Sequence, residues 1–224
     1  MRRGKIIVIE GTECSGKETQ TSLIVQRLKR EGRKVEHLAF PMYDTPTGKI
    51  VGGPYLGKEY ISNSYFKEDI INVDPKVAAL YYAADRRYNL KTINEFLDDG
   101  YDLIIDRYVE SNMAHQGCKI SNKEERFKLY KWFATLEYDL LESPRPNLTI
   151  LLHMPYKKTM ELKREKADND NYNNVLNYYK NSEDAYLELA KMNNHKVISC
   201  VKDDKLRDIL EIHEEIYNIV KSVL

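Results

Sequence analysis

Two glycines and a lysine near the N-terminus have the spacing of a phosphate-binding loop. The segment reads Gly11-Thr12-Glu13-Cys14-Ser15-Gly16-Lys17-Glu18-Thr19, between an apolar run and a helix-like pattern. Gly11 and Gly16 can adopt backbone conformations that turn N–H groups towards a phosphate. Lys17 would place a positive charge over the β- and γ-phosphates, where the free N–H groups of a helix N-terminus also favour anions. The sequence therefore predicts a P-loop.

A Mg²⁺ ion would normally be held by the hydroxyl that follows the P-loop lysine. Here Glu18 stands at that position, and Thr19 comes next. A carboxylate is a good Mg²⁺ ligand, but it also places negative charge beside a polyphosphate. Either Glu18 binds the metal, or Thr19 or water does. Asp106 ends a short apolar run, and it is the natural second carboxylate near the metal.

Apolar runs alternate with helical patterns along the whole chain. Strands are predicted at residues 5–10, 35–40, 103–106, 148–153 and 197–200, and helices at about 17–31, 74–97, 123–141, 175–191 and 206–223, with Pro155 opening one more. This alternation implies an α/β fold with a five-stranded, mainly parallel sheet and helices on both faces. The absence of a repeat or an internal linker predicts one domain over residues 1–224.

Three stretches are predicted to lie outside the regular elements. Residues 41–48 and 52–54 are rich in glycine and proline, which indicates a loop that reaches a ligand or moves. Residues 55–73 are aromatic and polar without a clear period, and we interpret them as a partly helical surface insertion. A polar loop follows Tyr108 and contains Ser111, Asn112, His115, Gln116 and Gly117.

The composition excludes several classes of protein. Lysine plus arginine and aspartate plus glutamate each total 35, so no basic field favours nucleic acid. We expect no signal peptide, and no apolar run approaches the roughly 18 residues that span a bilayer. Three cysteines, Cys14, Cys118 and Cys200, fit neither a disulfide framework nor a zinc site. We therefore expect a cytoplasmic protein without nucleic acid or membrane partners.

Four groups of residues together resemble the thymidylate kinases. They are Glu10-Gly11-Thr12-Glu13 with Gly16-Lys17 and Thr19-Gln20, Phe40-Pro41 with Thr45 and Gly48, Ala84-Asp85-Arg86, and Asp106-Arg107-Tyr108 with Ser111 and Ala114-His115-Gln116-Gly117. Their order and spacing match the family from residue 5 to about 118. The last third resembles the family only in its helix–lid–helix layout, with a lid at about 163–174. The resemblance implies a P-loop kinase that transfers phosphate from ATP to dTMP with Mg²⁺, and a homodimer.

The resemblance also implies roles for single residues. The P-loop, from Gly11 to Thr19, would hold the ATP phosphates, and Glu13 would lie near the sugar and 5′-phosphate of the monophosphate. Tyr82 would stack on the pyrimidine, Arg86 would donate to a base carbonyl, and Gln116 would reach the base edge.

The motif after the third strand would bind the rest of the acceptor. Arg107 would clamp its phosphate, with Ser111 in the same motif, and Tyr108 would crowd the sugar so that deoxyribose is favoured. His115 replaces the family's usual aromatic residue, and it would either stack on the base or be exposed. Phosphoryl transfer suits such a site because it needs mainly in-line positioning and cations on the spreading charge.

Several positions depart from the family pattern. Tyr43 stands where an arginine usually contacts the acceptor phosphate, and Cys14 replaces an arginine found in some family P-loops. The lid offers Lys163, Arg164 and Lys166 without the usual Asp-Arg-x-Glu pattern, so Arg164 is our candidate for the transition-state cation. Two alternatives therefore remain open. One is a kinase of another pyrimidine nucleotide or of a nucleoside, and the other is a catalytically poor, nucleotide-binding regulatory protein.

Overall fold

The computed structural model describes residues 2–163 and 172–224. Its central sheet has the strand order β2-β3-β1-β4-β5, and every neighbouring pair is parallel. The strands are β1 (Ile6–Gly11), β2 (Val35–Ala39), β3 (Asp102–Asp106), β4 (Leu148–His153) and β5 (Lys196–Ser199). The predicted α/β fold with a five-stranded parallel sheet is therefore confirmed. Arg164 and most of the predicted lid lie outside the described residues.

The helices cover both faces of the sheet. They are α1 (Lys17–Arg30), α2 (Pro46–Ile50), α3 (Pro75–Tyr88), α4 (Leu90–Asp98), α5 (Val109–Gly117), α6 (Lys123–Ala134), α7 (Tyr156–Lys163), α8 (Tyr172–Met192) and α9 (Ile209–Lys221). Side chains of α1 and α9 pack on one face, and those of α4, α5, α6 and α8 pack on the other. Strands buried on both sides are continuous apolar runs, which is why β1 and β3 were clear in the sequence. No described helix has the length and apolarity needed to cross a bilayer.

The loop predicted at residues 41–48 and 52–54 is partly helical, so that prediction was wrong. Thr45 caps α2, its side chain accepting a hydrogen bond from the N–H of Gly48 at 3.2 Å, and Pro46 is the first helical residue. A threonine cap followed by proline favours the start of a helix, and this preference outweighs the tendency of the nearby glycines to form a loop. The chain then continues through a π-helical turn at Val51–Tyr55.

The polar segment after Tyr108 is a helix, α5, and not the predicted loop. Its first turn is capped by Glu10, whose Oε1 accepts the N–H groups of Tyr108 and Ser111 at 2.7 and 3.1 Å. A carboxylate there satisfies free donors and suits the positive end of the helix dipole. The cap comes from about a hundred residues earlier in the chain, so local sequence patterns could not reveal it.

Two further elements differ from the prediction. The single helix expected at 74–97 is divided into α3 and α4 at Asn89, whose Nδ2 donates to the carbonyl oxygen of Asp85 at 2.8 Å. A short hairpin of β6 (Val201–Lys202) and β7 (Lys205–Leu206) precedes α9. Asp203 and Asp204 form its turn with φ of 50° and 61°, a conformation that aspartate tolerates better than most residues.

Residues 55–73 have little regular structure beyond one 3₁₀ turn at Ile70–Asn72. They nevertheless enclose a small core of their own, made by Val51, Tyr55, Val73 and Ala78. Tyr55 is buried and stacks on Tyr81 with the ring centroids 5.4 Å apart. The insertion is thus packed against α3.

Candidate active site

The P-loop connects β1 to α1 in the way its pattern predicted. Gly16 precedes α1 with φ of 75°, which favours glycine. A Cβ on Gly11 would lie 2.5 Å from Ser15 Oγ and 2.9 Å from the carbonyl oxygen of Leu152, so only glycine fits there. The loop is tied to β4 by Thr12, whose hydroxyl donates to the carbonyl oxygen of Met154 at 2.8 Å. Cys14 is exposed, with φ of 59°.

Lys17 is buried inside this loop. Its ammonium group donates to the carbonyl oxygens of Gly11 and Thr12 at 2.9 and 3.0 Å. Burial and the nearby Arg107 lower the pKa of Lys17 to about 8, against the opposing effect of the neighbouring carboxylates. The charge is thus desolvated, which strengthens its interaction with any anion that reaches it.

Arg107 is the centre of a polar cluster beside the P-loop. Its Nη2 donates to Glu13 Oε1 at 3.1 Å, and its Nη1 lies 3.2 Å from His115 Nε2 and 3.3 Å from the hydroxyls of Ser111 and Tyr186. Its backbone has φ of 64°, a strained conformation for arginine that clusters at functional sites. The structure therefore brings together four predicted site residues: Glu13, Arg107, Ser111 and His115.

His115 lies in α5 and is neither a loop residue nor exposed. Because the Arg107 guanidinium can only donate, His115 Nε2 must be the acceptor, and Nδ1–H then donates to the Tyr178 hydroxyl at 2.7 Å. Burial and the positive charge of Arg107 lower the pKa of His115 to about 3. This histidine is therefore neutral and supports Arg107.

Glu13 joins the P-loop to α7 as well as to Arg107. Its Oε2 lies 3.4 Å from Lys163 Nζ, and its carbonyl oxygen accepts the Thr159 hydroxyl at 3.0 Å. Burial alone would raise the pKa of Glu13, but the Arg107 charge and other nearby cations lower it to about 2. Glu13 is thus a fixed negative charge between two cations.

A cavity of about 200 Å³ adjoins Arg107. It is lined by residues of the predicted acceptor site and by neighbours of these: Phe40, Pro41, Tyr43, Tyr82, Arg86, Arg107, Tyr108, Ser111, Asn112 and His115. We call it the acceptor cavity. Tyr108 is 1 % exposed, and its hydroxyl donates to the carbonyl oxygen of Pro144 at 3.1 Å.

Arg86 reaches the acceptor cavity as half of a buried ion pair. Its Nε donates to both carboxylate oxygens of Glu137 at 3.0 and 2.9 Å, and Nη2 also donates to Glu137. The side chains are 2 % and 0 % exposed. Nη1 donates to no described residue, and it remains available to a ligand. Glu137 was missed by sequence reasoning because it lies 51 residues from Arg86 in a π-helical turn at Thr135–Leu140.

Asn112 is a second residue that sequence reasoning left without a role. Its Nδ2 donates to the carbonyl oxygen of Ala79 at 3.2 Å, which fixes the orientation of the amide. Its buried Oδ1 has no partner among the described residues. The acceptor cavity thus presents a free donor on Arg86 and a free acceptor on Asn112.

Asp85 holds the segment that carries Tyr43. It accepts the N–H of Met42 at 2.9 Å and the Thr47 hydroxyl at 2.8 Å. Tyr43 is half-buried, its ring lies 4.8 Å from Lys58 Nζ, and it lines the acceptor cavity. Tyr43 is therefore at the expected site, although it lacks the positive charge of the family's arginine.

Gln116 lies in a neighbouring cavity of about 380 Å³ instead. This second cavity shares Tyr82 and His115 with the acceptor cavity and is otherwise lined by the insertion, α5 and α8. The structure thus separates Gln116 from Arg86, with which the resemblance grouped it.

Asp106 is half-buried at the end of β3, and its Oδ1 has no partner among the described residues. Burial raises the pKa of Asp106, and this effect outweighs the opposing charges of the nearby Arg107 and Lys17. Glu18 and Thr19 are exposed on the first turn of α1. No cluster of three or more metal-ligating side chains occurs in residues 2–163 or 172–224. The Oδ1 of Asp106, unpartnered among the described residues, fits Mg²⁺, which keeps several waters and binds through one or two carboxylates.

Comparisons with known proteins agree with this geometry. The sequence model of the thymidylate kinase family matches residues 9–216. The chain is 28 % identical to the probable thymidylate kinase of Pyrococcus abyssi, over 99 % of this chain and 98 % of that protein. It is 33 % identical to human thymidylate kinase, over 68 % of this chain and 62 % of the human protein.

Solved structures show the same fold. The structure of thymidylate kinase from Candida albicans superimposes with a TM-score of 0.67 at 24 % identity, and it covers 98 % of this chain and 92 % of the other. The family match spans the P-loop, the Arg107 cluster and the acceptor cavity. The chain therefore belongs to the thymidylate kinase family.

Proposed function

We propose that this enzyme transfers the terminal phosphoryl group of ATP to dTMP, in the presence of Mg²⁺. The observation that carries the proposal is that the acceptor cavity presents a donor, Arg86 Nη1, and an acceptor, Asn112 Oδ1, neither of which has a partner among the described residues. A thymine ring presents a carbonyl acceptor at O4 and an N–H donor at N3. Cytosine presents the opposite pattern at both positions, so the same pair of groups would reject it.

Apolar contacts favour thymine over uracil in this proposal. Phe40 and Pro41 line the acceptor cavity, and Tyr82 offers a ring face for stacking. The methyl group that distinguishes thymine from uracil would gain about 0.8 kcal/mol when buried. We therefore expect a modest preference for dTMP over dUMP and a strong preference over dCMP.

The phosphates would meet two preorganised cations. Arg107 is held by Glu13, Ser111 and His115 at the edge of the acceptor cavity, where it would bind the acceptor phosphate. Lys17 and the P-loop N–H groups would bind the ATP phosphates. Such fixed charges align the two substrates and stabilise charge that spreads over the transferred group. Arg164 stays our candidate for an additional cation.

Asp106 is the residue that would hold Mg²⁺ or one of its waters, because its buried Oδ1 lacks a donor. When bound, the metal would neutralise charge on the ATP phosphates. Glu18, exposed one residue after Lys17, would contribute a second carboxylate.

The test is ADP release from ATP and Mg²⁺ with dTMP, dUMP, dCMP and thymidine as acceptors. We expect turnover in the order dTMP, dUMP, dCMP, with no reaction of thymidine. Lys17→Ala should abolish transfer, whereas Lys29→Ala, at the exposed end of α1, should not change it. Preference for another acceptor would favour the kinase of a different pyrimidine nucleotide or nucleoside. Tight ATP binding without transfer to any acceptor would favour the regulatory protein.

We also propose a homodimer formed through the outer face of α3. Val77, Leu80 and Tyr88 are 42 %, 51 % and 56 % exposed, and they lie on one side of that helix. Light scattering should give twice the mass of the chain, and Leu80→Glu should give the monomer. A monomeric wild type would overturn this point alone.

A cytoplasmic location completes the proposal. Cys14, Cys118 and Cys200 are unpaired, which suits a reducing compartment.

A further inference from the structure

A separate, larger cleft lies beside α6, away from the P-loop and the acceptor cavity. Its volume is about 1220 Å³, and α5, α6, the start of β4 and the end of α8 line it. Its walls are mainly apolar and include Met113, Phe127 and Leu189. None of its lining residues belongs to the acceptor cavity. We call it the α6 cleft.

Glu110 is the unusual residue of the α6 cleft. It is 5 % exposed, and its Oε2 has no hydrogen-bond partner among the described residues. Its Oε1 accepts only a long bond from Tyr138 at 3.4 Å, and His195 Nε2 lies 3.8 Å away. Tyr138 and His195 line the same cleft. A buried carboxylate with so few donors is costly, and a donor from a ligand would remove that cost.

The outer part of the cleft carries the opposite charge. Its lining includes five exposed basic residues: Lys123, Lys128, Lys131, Arg145 and Lys196. Among the described residues, Lys128, Lys131 and Lys196 form no ion pair. Arg145 lies over the Tyr138 ring, 4.1 Å from its centroid. A basic rim around an inner carboxylate would bind a ligand with an anionic end and a donor end.

We propose that the α6 cleft is a third nucleotide site, in addition to the P-loop and the acceptor cavity, in which Glu110 binds the base and the basic rim binds the phosphates. The carboxylate offers two acceptor oxygens side by side. Guanine presents two adjacent N–H donors, at N1 and N2, and is the common base that pairs with both oxygens at once. The aromatic walls would pack on the ring. We therefore name a guanine nucleotide as the ligand.

Occupation of the cleft would reach the active site through one peptide unit. Glu110 is followed directly by Ser111, whose N–H and hydroxyl bind Glu10 and whose hydroxyl also contacts Arg107. A ligand that holds Glu110 therefore acts on the first turn of α5, which positions the phosphate-binding arginine. The expected effect is a change in the KM for dTMP at saturating ATP.

The binding test uses GTP as the probe and protein saturated with ADP and dTMP, so that the P-loop and the acceptor cavity are occupied. Calorimetry should then give one GTP per chain. dTTP has the same phosphates without the adjacent donors, and it should bind at least ~10-fold more weakly, since each unmatched buried group costs about 1–3 kcal/mol. Glu110→Gln should weaken GTP binding by a similar factor, whereas Glu124→Gln, in the outer lining, should not.

Each possible result decides the proposal. Absence of GTP binding to the saturated protein would overturn it, as would equal binding of dTTP or unchanged binding by Glu110→Gln. A melting temperature for Glu110→Gln that is no lower than that of wild type would exclude misfolding as the reason for lost binding. GTP that binds without changing the KM for dTMP would overturn the coupling through Ser111. Failure of dTMP as an acceptor would instead contradict the proposed function, because it is measured without GTP.

Discussion

The Glu137 carboxylate accepts hydrogen bonds from Nε and Nη2 of Arg86, which leaves the third guanidinium nitrogen, Nη1, available at the acceptor cavity. Removing the partner would leave a buried, unpaired charge. We expect Glu137→Ala to lower the free energy of unfolding by about 3–5 kcal/mol. It should also raise the KM for dTMP, because Arg86 would lose its orientation.

The surface pair of Arg87 and Glu142 provides the control for this prediction. Its side chains are 47 % and 72 % exposed, so Glu142→Ala should cost less than about 1 kcal/mol. Chemical denaturation of both variants measures the difference. Equal losses would contradict the structural role of the buried pair.

Asn112 should determine which pyrimidine is accepted. Asn112→Leu removes the free Oδ1 with little change in volume, so kcat/KM for dTMP should fall about 10- to 100-fold. The kcat/KM for dCMP should change little, because cytosine has no N3–H and so loses no hydrogen bond when Oδ1 is removed. Steady-state kinetics with both acceptors makes the comparison. A parallel loss for both would indicate a packing defect and would refute the base-reading role.

Glu10 should affect catalysis through the N-terminus of α5. Glu10→Gln keeps the size but removes the charge that accepts two N–H groups and faces Arg107, so stability should fall by about 1–2 kcal/mol. The KM for dTMP should rise as well. The control is Asn122, which caps α6 because its side chain accepts the Glu125 N–H at 3.1 Å. Asn122→Ala should reduce stability without changing the KM for dTMP. An unchanged KM in Glu10→Gln would contradict the positioning role.

Glu110 should make stability depend on pH in the direction opposite to most carboxylates. Burial raises its pKa from 4.5 to about 7 in the folded chain. The folded state therefore binds the proton more tightly than the unfolded state. Its contribution to stability is fully present below pH 4.5 and is lost as the pH rises through 7. Glu110→Gln removes this loss of stability. The melting temperature of the variant minus that of wild type should therefore increase as the pH is raised from 4.5 to 8.

His115 supplies the contrast for that experiment. Its folded pKa is lowered from 6.5 to about 3, so its contribution is present above pH 6.5 and is lost as the pH falls towards 3. Melting curves of wild type and Glu110→Gln across this range separate the two groups. A difference that is constant with pH would show that Glu110 does not titrate in the folded chain.

The sequence predicted the parts of the molecule whose determinants are close together in the chain. The five strands have local apolar patterns, continuous in β1, β3 and β4 and loosely alternating in β2, and the P-loop is a nine-residue motif, so both were located correctly. The environments of Arg86 and Arg107 were not predictable, because Glu137, Tyr178 and Tyr186 reach them from distant helices. Helix α5 was missed for the same reason, since its cap is a carboxylate on β1. Asn112 gave one signal, an amide within the Arg107 motif, but only burial showed that its oxygen is free.

The insertion has its own core around Tyr55, separate from the two clusters that pack on the sheet. Because the insertion shares few buried apolar contacts with the rest of the core, we expect it to unfold locally at a lower free energy than global unfolding requires. Amide protons of residues 55–73 should therefore exchange with solvent faster than those of β1, while the sheet stays folded. Tyr55 and Tyr82 line the cavity next to the acceptor cavity. Such partial opening would give a nucleotide a route inward that leaves the P-loop intact.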